Sequence, residues 1–160
     1  MIAFLFAVTL VIQAPADFSG QWVVDAPAEK APGDMGSGLG SPLTIAQDAK
    51  QLVVEQALFS RYDLQPPIRT VYQLDGSESR NAVMAGHAAQ MRASRARWDG
   101  AALVITTTYP AIDASSGKTF STEVIHKLTV ESPGVLVIDT TRAGALGGKP
   151  VSTRTVYRKR

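Results

Sequence analysis

The chain has no cysteine in 160 residues. That excludes a disulfide framework, a thiol nucleophile and any zinc site built on thiolates. Histidine occurs twice, as His87 and His126, and no ligand spacing around either suggests a metal. A Gly-x-Ser-x-Gly nucleophile elbow is missing. So is a phosphate-cradling loop: residues 144–149 (GALGGK) lack the spacing and the Ser or Thr that should follow the Lys. Fourteen acidic residues are present, but nothing in their order pairs two of them across a cleft. Aromatics are scarce, eleven residues or 7%. Disorder is excluded by an ordinary 45% apolar content and a net charge of only +2. From these absences the chain is read as a non-enzyme, with no catalytic residue, no metal and no cofactor assigned.

One uncharged apolar run is present, residues 2–12 (IAFLFAVTLVI). It falls short of the roughly 20 residues a membrane-spanning helix needs. It suits the apolar centre of a secretory signal. Ala14-Pro15-Ala16 supplies small residues at the −3 and −1 positions, so cleavage is expected between Ala16 and Asp17. No Lys or Arg precedes the run, and the α-amine is the only positive charge there. No Cys follows it to carry a lipid anchor. The expected mature chain is 17–160, one domain, periplasmic or secreted, and not membrane-spanning once the signal is removed. A domain of this size buries enough surface to fold without covalent staples.

The mature chain is expected to be all-β, because its apolar period is two. Residues 103–109 (LVITTTY) are β-branched or aromatic throughout. From Thr122 to Glu131, Val124, His126, Leu128 and Val130 alternate with Glu123, Lys127, Thr129 and Glu131. The Ala-rich stretch 81–96 is the single competitor for a helix. Turns separate the runs. Asp99-Gly100 and Asp75-Gly76 suit two-residue hairpins, and Asp48-Ala49-Lys50 reverses the chain once more. Ser132-Pro133-Gly134 as a three-residue turn sets a register in which Val130 faces Leu136, Leu128 faces Ile138 and Lys127 faces Asp139. Both faces then match chemically. The expectation is an antiparallel meander of about 8–10 strands, closed into a barrel or curved into a half-open sheet. The segment 26–42, rich in Gly and Pro, is neither strand nor helix. It is read as a long loop, mobile or acting as a lid, with mobility favoured.

The domain opens with Phe18-Ser19-Gly20-Gln21-Trp22, which resembles the Gly-x-Trp opening of lipocalins and related calycin barrels. The chain also resembles small exported bacterial β-proteins that begin this way and carry an Arg-Trp-Asp-Gly hairpin, here Arg97-Trp98-Asp99-Gly100. The second lipocalin signature, a Thr-Asp-aromatic turn, is absent. The resemblance implies a barrel with the Trp at its closed base and the Gly allowing close approach of neighbouring chain. It also implies a basic residue of the last strand across the Trp, for which Arg154 and Arg158 are the candidates. It implies an interior that holds a small apolar or amphipathic ligand, lined by Trp22, Tyr72, Trp98, Tyr109 and His126. The residues alone leave a packed, ligand-free interior open as well, with Trp22 and His126 as ordinary core side chains.

A second surface comes from charge. No acid follows Asp139, whereas six basic residues do. Arg92, Arg95 and Arg97 cluster before Trp98. If the strands neighbour, these three with Arg154 and Arg158 form a basic face for an anionic component of the cell envelope. Basic residues also blunt sheet edges, and that plainer reading stands beside the first. No nucleic acid is expected as a partner, because no aromatic platform interleaves the arginines.

Overall fold

The structure is a computed structural model. It describes residues 14–25, 38–40, 42–59, 64–85, 88–112, 116–143 and 148–160. The expected apolar signal centre (2–12), most of the Gly/Pro-rich loop and His87 lie outside the described residues.

Ten strands follow one another: β1 (Gly20–Val24), β2 (Leu43–Gln47), β3 (Gln51–Phe59), β4 (Leu64–Gln73), β5 (Glu78–Ala85), β6 (Ala88–Asp99), β7 (Ala102–Ile112), β8 (Thr119–Ser132), β9 (Val135–Arg142) and β10 (Val151–Lys159). All pairings are antiparallel. The sheet runs β4-β3-β2-β1-β10-β9-β8-β7-β6-β5 and curls into a nearly closed barrel. The Ala-rich competitor for a helix is the β5–β6 hairpin, with Asn81 opposite Arg92. The reason lies in its inward file. Ser79 and Asn81 on β5, and Ser94 and Ala96 on β6, are buried two residues apart, and a helix would turn the members of each pair to different sides.

The pairs predicted from Ser132–Gly134 are observed, with Val130 facing Leu136, Leu128 facing Ile138 and Lys127 facing Asp139, but Ser132 itself pairs with Val135, so the turn is Pro133-Gly134 and the register shifts between Val130 and Ser132. Lys127 Nζ also reaches Asp99 Oδ2 on the adjacent hairpin at 2.8 Å. The 99–100 turn lies one residue further on than the sequence suggests, since Asp99 pairs with Ala102. Asp75-Gly76 turns the chain but makes no paired hairpin. The strands it joins, β4 and β5, are the two ends of the sheet. Side chains of β5 close the gap between them. Asn81 bonds Val71 through Nδ2 and Oδ1, and Ser79 Oγ accepts from Gln73 N at 2.8 Å.

One end of the barrel is filled. Phe18, Trp22, Leu43, Leu52, Leu103, Leu128, Leu136, Ile138 and Tyr157 pack there, all fully buried. The segment before β1 crosses this end. Phe18 stacks on Trp98 with centroids 6.1 Å apart, and its carbonyl accepts from Trp22 Nε1 at 2.9 Å. Gln47 fastens the crossing, accepting from Phe18 N at 3.0 Å and donating to Ala16 O at 2.9 Å.

Lys159, opposite Trp22 in the β1–β10 pair, lays its Nζ 5.5 Å from the centre of the indole ring. The cation on this tryptophan is therefore Lys159. Arg154 and Arg158, the candidates from sequence, face away and pair with acids. Lys159, directly opposite, shares the face of Trp22, and strand alternation turns Arg158 and Arg154 to the other face. Gly20 has φ 142, and a Cβ there would stand 2.5 Å from Lys159 Cε. The close approach expected of the Gly-x-Trp opening is thus made by a side chain of the last strand.

Candidate functional site

The inward files change character along the barrel. Toward the filled end they carry Leu103 and Ile105 on β7, Leu128 on β8, Leu136 and Ile138 on β9, and Ala96 on β6. Toward the other end the same files continue as Thr107 and Tyr109, His126 and Val124, Thr140 and Arg142, and Ser94 and Arg92. Strand alternation carries the parity outward unbroken, so polar side chains line the interior wherever the sequence places them in step with the core. Between these polar files lies a cavity of about 420 Å³. That is within the range of small-molecule sites.

Its walls mix two chemistries. Val54, Ile68, Val83 and Val124 are apolar; Gln56, Thr70, Asn81, Ser94 and Thr107 are polar. Ser94 and Thr107 hydroxyls bond each other at 2.9 Å. Arg92 and Arg142 bring positive charge to the lining. No Asp or Glu lines it among the described residues. Among those residues no group of three or more His, Cys, Asp or Glu could hold a metal ion, and no helix is long and apolar enough to cross a membrane.

Residues 38–40, which with Pro42 are the described part of the Gly/Pro-rich segment, lie against the barrel. Leu39 packs against the core, and all three residues border the cavity. Gly38 N donates to Thr140 Oγ1 at 3.3 Å and Leu39 N to Tyr157 OH at 3.2 Å. Gly38 has φ 72 and abuts the Tyr157 hydroxyl, where a Cβ would collide. The glycine that made the segment look unstructured is what lets it enter the barrel here.

His126 sits in the wall with its imidazole pKa pushed down to about 4. Burial is the main cause and the Arg142 charge the second; a hydrogen bond with the Gly38 backbone opposes them. Its Nδ1 is buried without a partner. Tyr72 is also buried, and desolvation drives its phenol well above the ordinary value.

Of the five interior residues expected from sequence, Tyr72, Tyr109 and His126 line the cavity. Trp22 and Trp98 instead belong to the filled end. The basic face does not form. Three strands, β9, β8 and β7, separate β10 from β6. Arg158 pairs with Asp25 at 2.9 Å, Arg154 with Glu131 and with Asp139 at 3.5 Å, and Arg95 with Glu78 at 3.4 Å. Arg97 is exposed on the outer face beside Arg95. Arg92 is on the opposite side of β6 from both, inside the barrel, with its Cζ 4.4 Å from the centre of the Tyr109 ring. Grouping the three arginines by charge ignored the period of two that separates 92 from 95 and 97. The same parity, extended from Ala96 and Ile105, also identifies Ser94 and Thr107, which composition does not flag.

No family model matches the chain, and no curated protein or solved structure matches it. The likeness to calycins therefore rests on the Gly20-x-Trp22 opening and on the all-antiparallel, nearly closed barrel, which is compatible with that fold.

Proposed function

We propose that the protein is an exported, lipocalin-like binding protein that holds a small amphipathic molecule at the polar-lined end of its barrel. The observation that carries this reading is the cavity itself. Its wall is part apolar and part polar, and it lies beyond a core that is otherwise filled. A barrel needing only stability would extend the Leu and Ile packing of the filled end through these positions. Instead the files switch to Thr, Ser, Asn, His and Arg, side chains that give orientation and specificity to a bound molecule. Export rests on the apolar run 2–12 and on Ala14-Pro15-Ala16. N-terminal sequencing of the protein from its own host tests it, with Asp17 expected as the first residue.

Native mass spectrometry of that same material tests binding. A reproducible adduct that organic extraction removes is expected, and Ser94→Trp, which fills the cavity, should abolish it. Bare spectra from host-purified protein contradict the reading. An alternative, an interaction module for an anionic envelope partner, has less support, because Arg95, Arg154 and Arg158 already pair with acids and three strands lie between β10 and β6.

A further inference from the structure

We infer that the molecule held in the cavity is a small organic acid, a carboxylate on a short apolar body, with its head group gripped by Arg92. The inference rests on the cavity being a binding site and names what it takes. Three observations converge on it.

First, Arg92 is placed inward and its Nε is buried without a hydrogen-bond partner. A buried, unpaired guanidinium donor is costly to leave unmatched. The outward arginines Arg95, Arg154 and Arg158 each have a carboxylate within ion-pair distance. Among the described residues none pairs with Arg92.

Second, the guanidinium is held over the Tyr109 ring at 4.4 Å. The ring covers one side of the cation. Arg92 lines the cavity, and a guanidinium carries paired N–H donors that a carboxylate accepts in bidentate fashion.

Third, the described lining of the cavity carries charge of one sign. Arg142 lines the same cavity, and no Asp or Glu does among the described residues. A cation would meet the Arg92 guanidinium with no described carboxylate beside it. A neutral apolar molecule would leave the Arg92 guanidinium without a counter-charge. An acid satisfies it while Val54, Ile68, Val83 and Val124 cover the apolar body.

Calorimetric titration of the full protein with octanoate, octanol and octyltrimethylammonium separates the cases. Octanoate is expected to bind about tenfold or more tightly than octanol, as a charge-assisted bidentate pair implies, and the cation most weakly. Arg92→Met should bring octanoate down to the affinity of octanol for the same variant. Arg95→Met, on the outer face, should change neither. Should Arg92→Met fail to fold, Arg92→Lys keeps a charge but loses the paired donors, and is expected to forfeit most of the preference for octanoate. Equal binding of octanoate and octanol would overturn the acid while leaving the binding cavity standing. A preference for octanoate that survives in either folded Arg92 variant would overturn the role of Arg92. Failure of all three probes to bind would overturn both the acid and the cavity reading.

Discussion

The side-chain amide of Asn81 hydrogen-bonds both backbone groups of Val71: its Nδ2 donates to Val71 O at 2.9 Å and its Oδ1 accepts from Val71 N at 2.9 Å. An amide has the same donor and acceptor as a peptide unit. Asn81 therefore stands in for a strand residue at the one seam of the barrel that lacks a backbone ladder. Asn81→Ala leaves two backbone groups of Val71 unmatched and is expected to cost about 2–4 kcal/mol in urea unfolding. Asn81→Asp keeps the acceptor but turns a carboxylate oxygen toward Val71 O, so it should cost more. In either variant the Val71 amide should exchange with solvent faster than the Ile105 amide in the unbroken part of the sheet.

Trp22 anchors the filled end. It is buried, hydrogen-bonded to Phe18 O and covered by Lys159. Trp22→Ala should cost about 3–5 kcal/mol, the loss expected for a large core aromatic. Lys159→Met keeps the aliphatic cover and removes the charge, so a loss of about 0.5–1 kcal/mol is expected, typical of a solvent-exposed cation–π contact. Thermal or urea unfolding distinguishes the two, and similar losses for both would mean that Lys159 is more than a cover.

The 38–40 segment is held by Tyr157. Tyr157→Phe removes the acceptor of the Leu39 N–H and should cost about 1 kcal/mol, with faster exchange at the Leu39 amide. Gly38→Ala is worse on two counts. It places a Cβ at φ 72 and against the Tyr157 hydroxyl, and the left-handed conformation alone costs about 1–2 kcal/mol.

His126 gives the protein a pH signature. Unfolded, it takes up a proton below its ordinary value of 6.5; folded, it stays neutral down to about 4. Within that window the unfolded state binds more protons, so acidification favours unfolding. The contribution is complete above pH 6.5, falls as the pH drops, and is gone by about pH 4. At roughly 1.4 kcal/mol per pH unit this amounts to about 3 kcal/mol. The exposed carboxylates with lowered pKa values, Asp17, Asp48, Asp75, Glu78 and Asp99, act at more acid pH. Their stabilisation is present above their ordinary values of 3.8 to 4.5 and is lost below them. Urea midpoints measured from pH 7 to pH 5 should fall for the native protein and stay nearly level for His126→Gln.

Much of the fold was legible because strand alternation and turn residues are local signals. The pairs flanking Ser132–Gly134 followed from matching both faces of Thr122–Glu131 and 135–139. The β4–β5 seam was not legible. Asp75-Gly76 looks like any other hairpin turn, and only the tertiary curl puts Asn81 beside Val71. For the site, Tyr72, Tyr109 and His126 stood out as aromatic or ionisable residues in strand patterns. Arg92 was misplaced because its charge outweighed its parity. Trp22 and Trp98 were misassigned because sequence alone does not say which end of a barrel is filled.

The central claim, that the polar-lined end of the barrel holds a small amphipathic molecule, is tested most directly by titrating isotope-labelled protein with octanoate and following its backbone amides by NMR. Saturable shifts concentrated at Ser94, Thr107, Val124 and His126, with the filled end around Leu128 and Leu136 undisturbed, are the predicted result. Shifts confined to the outer arginines Arg95, Arg97, Arg154 and Arg158, or no shifts from a folded protein, would contradict it.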